Sequence, residues 1–296
     1  MATHSYSATL AHTTDADFRA WGKAASDAMT AVGFLKTGDT GQIDWLTVAR
    51  PGAGVSGGYE IRLLNDSLHG TKPCHVKIEY GTNGSTATNP QMWITVGSGT
   101  NGARTITGTT YFARKTYGAG GGQGTPAAGS FFSYLCYREG YVMFCIQAGG
   151  VGSGTGPMAL FALTRTEDNA NAYTTEGFHF YENSPVQAIV RHTYIAAEVL
   201  DSKAFSFFPG SGTGPASTLV SGVAQIMRHF AFITPLIRVV PNFYSYIVSE
   251  IGGASTFTVT PIGAVSRTYI ALGINGTTTQ ASLNVNSNHR LAVRYE

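Results

Sequence analysis

The sequence carries little charge. Charged residues make up 12% of its 296 positions, about half the share of an ordinary soluble domain. Lys and Arg outnumber Asp and Glu by two, for a formal net charge of +2. No basic run could track a phosphate backbone, so nucleic acid is not an expected partner. Cysteine is scarce as well. Cys74, Cys136 and Cys145 form an odd set without CxxC spacing, which argues against a disulfide framework, zinc or redox chemistry. Free thiols fit folding in a reducing cytoplasm. No uncharged apolar run reaches the roughly 18 residues of a membrane helix, and MATHSYSATLAHTTDADF has neither a basic start nor an apolar stretch. The expectation is therefore no membrane span and no signal peptide.

What is abundant is glycine, at 37 positions, with many Ser and Thr beside it. An uncharged polar surface does not keep a protein apart from its neighbours by self-repulsion; it suits one covered by partners in a rigid assembly. Length imposes no need for staples. A chain of this size can bury about 75% of the surface its unfolded form exposes, without disulfides or metal.

One helix is predicted. Thr14 or Asp15 can cap it, Phe18, Trp21, Ala25, Ala28, Met29 and Val32 recur at helical spacing, and Gly33 closes it. Its apolar stripe lies either on the chain's own sheet or on a neighbouring subunit. After Gly41 the period changes to two. Tyr59, Ile61 and Leu63 alternate with Glu60 and Arg62, and Val76, Ile78 and Tyr80 with Lys77 and Glu79, which predicts strands with one buried face. Met92, Ile94 and Val96 repeat the pattern. FFSYLCYREGYVMFCIQAG is nearly continuous in apolar residues on both sides of Arg138, Glu139 and Gly140, so it predicts a hairpin covered on both faces, by a second sheet and a neighbour or wholly internally. Further strands are expected in MALFALTRT, VQAIVRHTYIAAEVL, HFAFITPLIRVV, NFYSYIVSEI, STFTVT, SRTYIALG and HRLAVRYE. Pro235 and Pro241 mark edges or bends. The fold class is thus mainly β, an antiparallel sandwich or jelly-roll-like architecture with one N-terminal amphipathic helix.

Three glycine-rich stretches start at Gly118, Gly149 and Pro209 and read as loops; GSGTGP occurs in two of them as shared loop chemistry, not as a repeat. Residues 118–129 divide a helix-plus-strand part, 1–117, from an all-β part, 130–296, or else form a long surface loop within one continuous domain.

Motifs that could carry chemistry lack their contexts. Gly97, Gly99 and Gly102 satisfy G-x-G-x-x-G after a strand, but ARTITGTTYF reads as another strand, so no helix N-terminus would face a pyrophosphate. Gly54, Ser56 and Gly58 satisfy G-x-S-x-G, yet YEIRLL after them is a strand where the nucleophile elbow needs a helix. His179 with Glu182, and Asp66 with His69 and His75, approach metal-ligand spacing only if helical. His192 and His229 read as structural histidines. Glu167, Asp168, Glu176 and Glu182 are carboxylates available for a polysaccharide-cleaving pair, but no motif flanks them and they read as solvated. No catalytic, cofactor-binding or metal residue is assigned, no cofactor is expected, and the chain reads as a non-enzyme. The residues expected in packing or an interface are Phe18, Trp21, Met29, Tyr117, Phe131, Phe132 and Phe144.

The stretches IDWLTVARPG, GYEIRLLNDSL, PCHVKIEYGTNG and PQMWITVGSGTNG, with the helix FRAWGKAASDAMTAVG before them, resemble in order and spacing a segment of tailed-bacteriophage tail or other virion proteins. The resemblance spans residues 15 to 108. It is carried by Trp45, Arg50, Pro51, Tyr59, Glu60, Asn65, Asp66, Lys77, Glu79, Tyr80, Gly81, Trp93 and Gly97. It implies a β-rich building block of the particle, assembled in the host bacterial cytoplasm as a symmetric homo-oligomer with other virion proteins as partners. A tail or baseplate position is the first expectation. A capsid decoration or collar protein, or a fibre tip binding a host-surface glycan through aromatics such as Tyr117 or Tyr173, is the alternative.

Overall fold

The computed structural model describes residues 2–9, 13–31, 33–82, 90–116, 130–138, 141–148, 158–167, 173–183, 188–193, 226–233, 236–247, 256–259, 266–271 and 289–294. Side chains are described chiefly for 13–31, 33–82 and 91–108. The Gly-rich stretch 118–129, both GSGTGP segments, Val32 and Pro235 lie outside them.

Strand β1 (Ala2–Thr9) precedes helix α1 (Asp15–Ala31). Thr14 is the cap. Its Oγ accepts from the Asp17 N–H at 3.1 Å, while Asp17 Oδ2 accepts from the N–H of Thr14 at 2.9 Å and of Thr13 at 3.0 Å. This reciprocal arrangement satisfies backbone donors that the first turn would otherwise leave orphaned. Gly33, at φ 83°, ends the helix, with its N–H bonded to the Thr30 carbonyl; glycine adopts that left-handed conformation without a Cβ penalty.

The chain then forms β2 (Phe34–Lys36), β3 (Ser56–Leu64), β4 (His75–Thr82), β5 (Pro90–Thr100) and β6 (Ile106–Thr116). They pair antiparallel in sequence order as a five-stranded sheet. Register sets Glu60 opposite Ile78 and Ile78 opposite Ile94, and Arg62 opposite Val76 and Val76 opposite Val96. These rows form the face on which α1 lies. Phe18, Trp21, Ala25, Ala28 and Met29 from the helix are buried against Val76, Ile78, Tyr80, Met92, Ile94 and Val96 from the sheet. Trp45, from the segment between β2 and β3, completes the core. Its ring stands edge-on to Tyr80 at 4.9 Å and tilted to Phe18 at 5.8 Å, and Trp21 meets Tyr80 edge-on at 5.7 Å. Each such ring removes about 150–250 Å² from water, about 4–6 kcal/mol before ordering entropy is charged against it.

The opposite face has a smaller cluster of Tyr59, Ile61 and Ile106. Segment 37–43 covers it: Thr40 N–H bonds to the Gly102 carbonyl at 3.0 Å, Ile43 N–H to that of Tyr59 at 2.8 Å, and Gln42 Oε1 accepts from Ile61 N–H at 2.9 Å. β3 is therefore buried on both faces, where its alternation predicts one. Glu60 and Arg62, expected on the solvent side, are wholly enclosed beneath the helix.

A second antiparallel sheet takes in the remaining strands, β7 (Ser130–Arg138), β8 (Tyr141–Ala148), β9 (Met158–Glu167), β10 (Tyr173–Asn183), β11 (Ala188–Thr193), β12 (Ile226–Ile233), β13 (Leu236–Ile247), β14 (Thr256–Val259), β15 (Arg267–Ala271) and β16 (His289–Arg294). β1 joins this sheet, not the first, pairing with β7 from Ala2 opposite Tyr137 to Thr9 opposite Ser130. FFSYLCYREGYVMFCIQAG forms the β7–β8 hairpin. HFAFITPLIRVV is not one strand but the β12–β13 hairpin. Pro241 sits inside β13, which is paired on both sides by β12 and β16 and so is no edge; the register with β12 instead slips next to the proline, between Arg228 and His229, where the missing N–H costs no ladder bond. The last strand, β16, is held between β13 and β15. The described chain is thus mainly β and antiparallel, with one helix.

Candidate functional site

The densest concentration of polar chemistry among the described side chains is under α1. Glu60 and Arg62, two apart on β3, share a face. Glu60 Oε2 accepts from Arg62 Nε at 3.2 Å and Nη2 at 3.0 Å and from the Tyr80 hydroxyl at 3.2 Å. Oε1 accepts from Ser26 Oγ at 2.7 Å and Trp45 Nε1 at 3.2 Å, with Lys36 Nζ at 3.4 Å. Arg62 spends its other donors on Thr30 Oγ1, the Phe34 carbonyl and the carbonyl and hydroxyl of Ser26. Burial raises the Glu60 pKa, but the Arg62 charge, the Ser26 hydroxyl and Lys36 together outweigh it and hold the carboxyl below its ordinary value.

This centre ties helix to sheet. α1 has no basic residue in its last turn, and Arg62 supplies from β3 the positive charge that the carbonyl end of a helix favours. With both ions enclosed and six donors around one carboxylate, the arrangement has no approach for a substrate; its chemistry is positional.

The motifs resolve into structural parts. Gly54 and Ser56 flank the entry to β3, and Thr82 N–H bonds to the Val55 carbonyl. Gly97 and Gly99 lie within β5, Gly102 lies in the turn after it, and ARTITGTTYF supplies β6, as expected. Asp66 and His69 form a local turn: Asp66 Oδ1 accepts from Leu68 N–H at 3.1 Å and the Asp66 carbonyl is bonded by His69. His75 stands apart from them on β4. Among the described residues no group of three or more His, Cys, Asp or Glu side chains converges as a metal site, and Cys74 is a buried thiol outside any disulfide.

Of the residues expected in packing or an interface, Phe18, Trp21 and Met29 are buried in the chain's own core. Phe131 and Phe132 occupy neighbouring positions on β7, opposite Ala148 and Gln147, and Phe144 on β8 lies between Leu135 and Phe161. Tyr117 and Asp168 lie outside the described residues. Glu167 ends β9 opposite Tyr173; Glu176 and Glu182 lie on β10, and His229 on β12. His179 and Glu182, three apart on β10, occupy opposite faces of a strand, while His179 is in register with His192 of β11.

The far face carries a charged group around Tyr59. Lys77 Nζ and the Arg104 guanidinium stand 5.7 and 5.6 Å from its ring centre, and Glu79 bridges both cations at 3.1 and 2.7 Å. Sequence reasoning missed the Glu60–Arg62 centre because it treated charge as a mark of exposure. The available signal was their spacing: opposite charges two apart on a strand share a face and can neutralise each other. Among the described residues no helix is long and apolar enough to cross a membrane. Comparison with protein-family models and with curated proteins finds no match to the chain.

Proposed function

We propose that the chain is a structural component of a tailed-phage virion, a tail or baseplate protein that assembles as a symmetric homo-oligomer. The observation that carries this reading is where the resembling residues fall. Residues 15 to 108 take in α1, β2 to β5 and the first residues of β6, and Trp45, Glu60 and Tyr80 meet at the centre of that unit. Of the resembling residues Trp45, Tyr59, Glu60, Asp66, Tyr80, Gly81 and Gly97 are buried, and a resemblance carried in good part by such residues supports shared architecture, as between building blocks, over a shared reacting site. The low charge and abundant uncharged polar residues support a surface made for contact. With the helix stripe turned inward, the β7–β8 hairpin is the candidate for subunit contact. In this reading the two sheets form a sandwich or jelly-roll-like block, and other virion proteins cover its remaining surface.

The test is the solution mass of the purified chain by light scattering over a concentration series, together with co-purification from phage-infected cells. A discrete ring-sized oligomer, or capture with virion proteins, supports the proposal. A strict monomer that enters no particle overturns it.

A further inference from the structure

We propose that the juxtaposition of His179 and His192 across the β10–β11 ladder makes a two-imidazole site for a divalent transition-metal ion of the zinc class. The register sets the two residues directly opposite each other. Opposed residues of an antiparallel pair share a face of the sheet with their Cβ atoms about 4.5–5.5 Å apart, which suits two imidazoles meeting one ion at about 2.0–2.1 Å each. None of the other histidines on described strands has a histidine opposite it. His4 stands opposite Leu135, His75 between Leu63 and Gly97, His229 opposite Val240 and His289 opposite Ile247. From His179 the row continues into Thr164 of β9, Tyr141 of β8 and Arg138 of β7. It thus holds hydroxyls and no carboxylate, and its cation stands three strands from His179, at roughly 14 Å. In the next row on that face Tyr181 is opposite Val190. Nitrogen ligands without a carboxylate favour zinc, copper or nickel over the oxygen-seeking magnesium and calcium.

The place of the pair in the ladder gives such an ion a task. β10 and β11 run in register from Phe178 opposite Thr193 to Asn183 opposite Ala188. The chain joins the two strands through residues 184–187, so His179 and His192 stand one step from the open end. Among the described residues β11 pairs with β10 alone, and the last pairs of an outer strand are those a ladder loses first. An ion held by both residues cross-links the hairpin at that end, opposite its covalent closure. Metal binding then adds directly to strand pairing, because the separated strands present no two-histidine site. Two ligands leave the remaining positions of a tetrahedral ion to water. Sequence spacing matches His179 with Glu182, which the strand puts on the opposite face; only the ladder brings in His192.

The experiment is calorimetric titration of the purified full chain with zinc chloride, with amide hydrogen exchange of β11 read in parallel. A single equivalent of zinc should bind, and exchange of the β11 amides bonded to β10 should slow, while magnesium chloride does neither. Loss of an outer-shell partner already costs about 10–100-fold in metal affinity, so His179→Gln and His192→Gln, which remove ligands, should each weaken binding at least about 100-fold. His192→Cys supplies a different zinc ligand and should regain binding, which separates ligation from packing. His229→Gln, with Val240 opposite, should bind zinc as the wild type does. Absence of saturable zinc binding, binding that survives both glutamine changes, a His192→Cys variant no better than His192→Gln, or an equal loss in His229→Gln would overturn the proposal.

Discussion

Glu60 and Arg62 lie two residues apart on one strand and meet beneath the helix at 3.0 Å, with neither side chain exposed. Taking two ions out of water costs several kcal/mol each, and mutual attraction offsets this only when the remaining donors and acceptors are satisfied. Here Ser26, Thr30, Trp45, Tyr80 and the Phe34 carbonyl satisfy them. The pair thereby fixes the position of α1 on the sheet, because its partners come from the helix, from β2, from β4 and from the β2–β3 segment.

Breaking this pair from one side should be severe. Arg62→Met leaves a buried carboxylate uncompensated and is expected to cost about 3–5 kcal/mol, while the double replacement Glu60→Leu with Arg62→Met should cost clearly less than the sum of the single changes. Denaturant midpoints of the four proteins test this. Additive losses would mean that the two residues do not act as a unit.

Acid should act on the same pair. Because the Glu60 pKa is lowered in the fold, its contribution is intact above its ordinary value of 4.5 and is lost as pH falls through the folded value. In Arg62→Met, burial acts without its main opponent and the Glu60 pKa should rise. The acid-unfolding midpoint, followed by tryptophan fluorescence, should then move to higher pH than in the wild type.

Gly22 lies on the buried side of α1, where an added Cβ would collide with the Trp45 indole. Gly22→Ala should destabilise by about 1–3 kcal/mol despite alanine's better helix propensity, because the Trp45–Tyr80 packing cannot move aside without strain. Gly38→Ala is the control. A Cβ there meets nothing within 4 Å, so the change is expected to be neutral or to stabilise by up to about 1 kcal/mol. Thermal melts that rank the two the other way would contradict this packing.

At the helix start, hydrogen bonds from the Thr13 hydroxyl, then from the backbone and hydroxyl of Thr14, hold the Asp17 pKa down to about 2. The cap should stay intact above 3.8 and weaken as pH falls through about 2. Thr14→Ala removes the reciprocal bond, should cost about 1 kcal/mol, and should raise the Asp17 pKa measured by NMR toward 3.8.

Much of the first unit is legible in the residues alone. A cap at Thr14 or Asp15, which the structure settles as Thr14, a 3.6-residue stripe from Phe18 to Met29 and a terminating Gly33 define α1 through local hydrogen bonding and backbone preference. Val76, Ile78 and Tyr80 alternate with Lys77 and Glu79, and the burial of β4 follows that alternation. The same rule misassigns β3. Its charged residues are buried because partners from distant segments reach them, and no period records that. HFAFITPLIRVV reads as one apolar run because both arms of a tight hairpin are apolar, and only the pairing separates β12 from β13. Pro241 was legible as an irregularity, though as a slip within a paired strand and not as an edge.

The sequence by itself determined the mainly β character of the described residues, their one helix with its two ends and the low content of charge, since these follow from composition, period and local capping. The tertiary structure decided which face of β3 met the helix and that β1 crosses to the second sheet. Those outcomes depend on segments far apart in the chain meeting at particular atoms, a relation that neither periodicity nor propensity encodes.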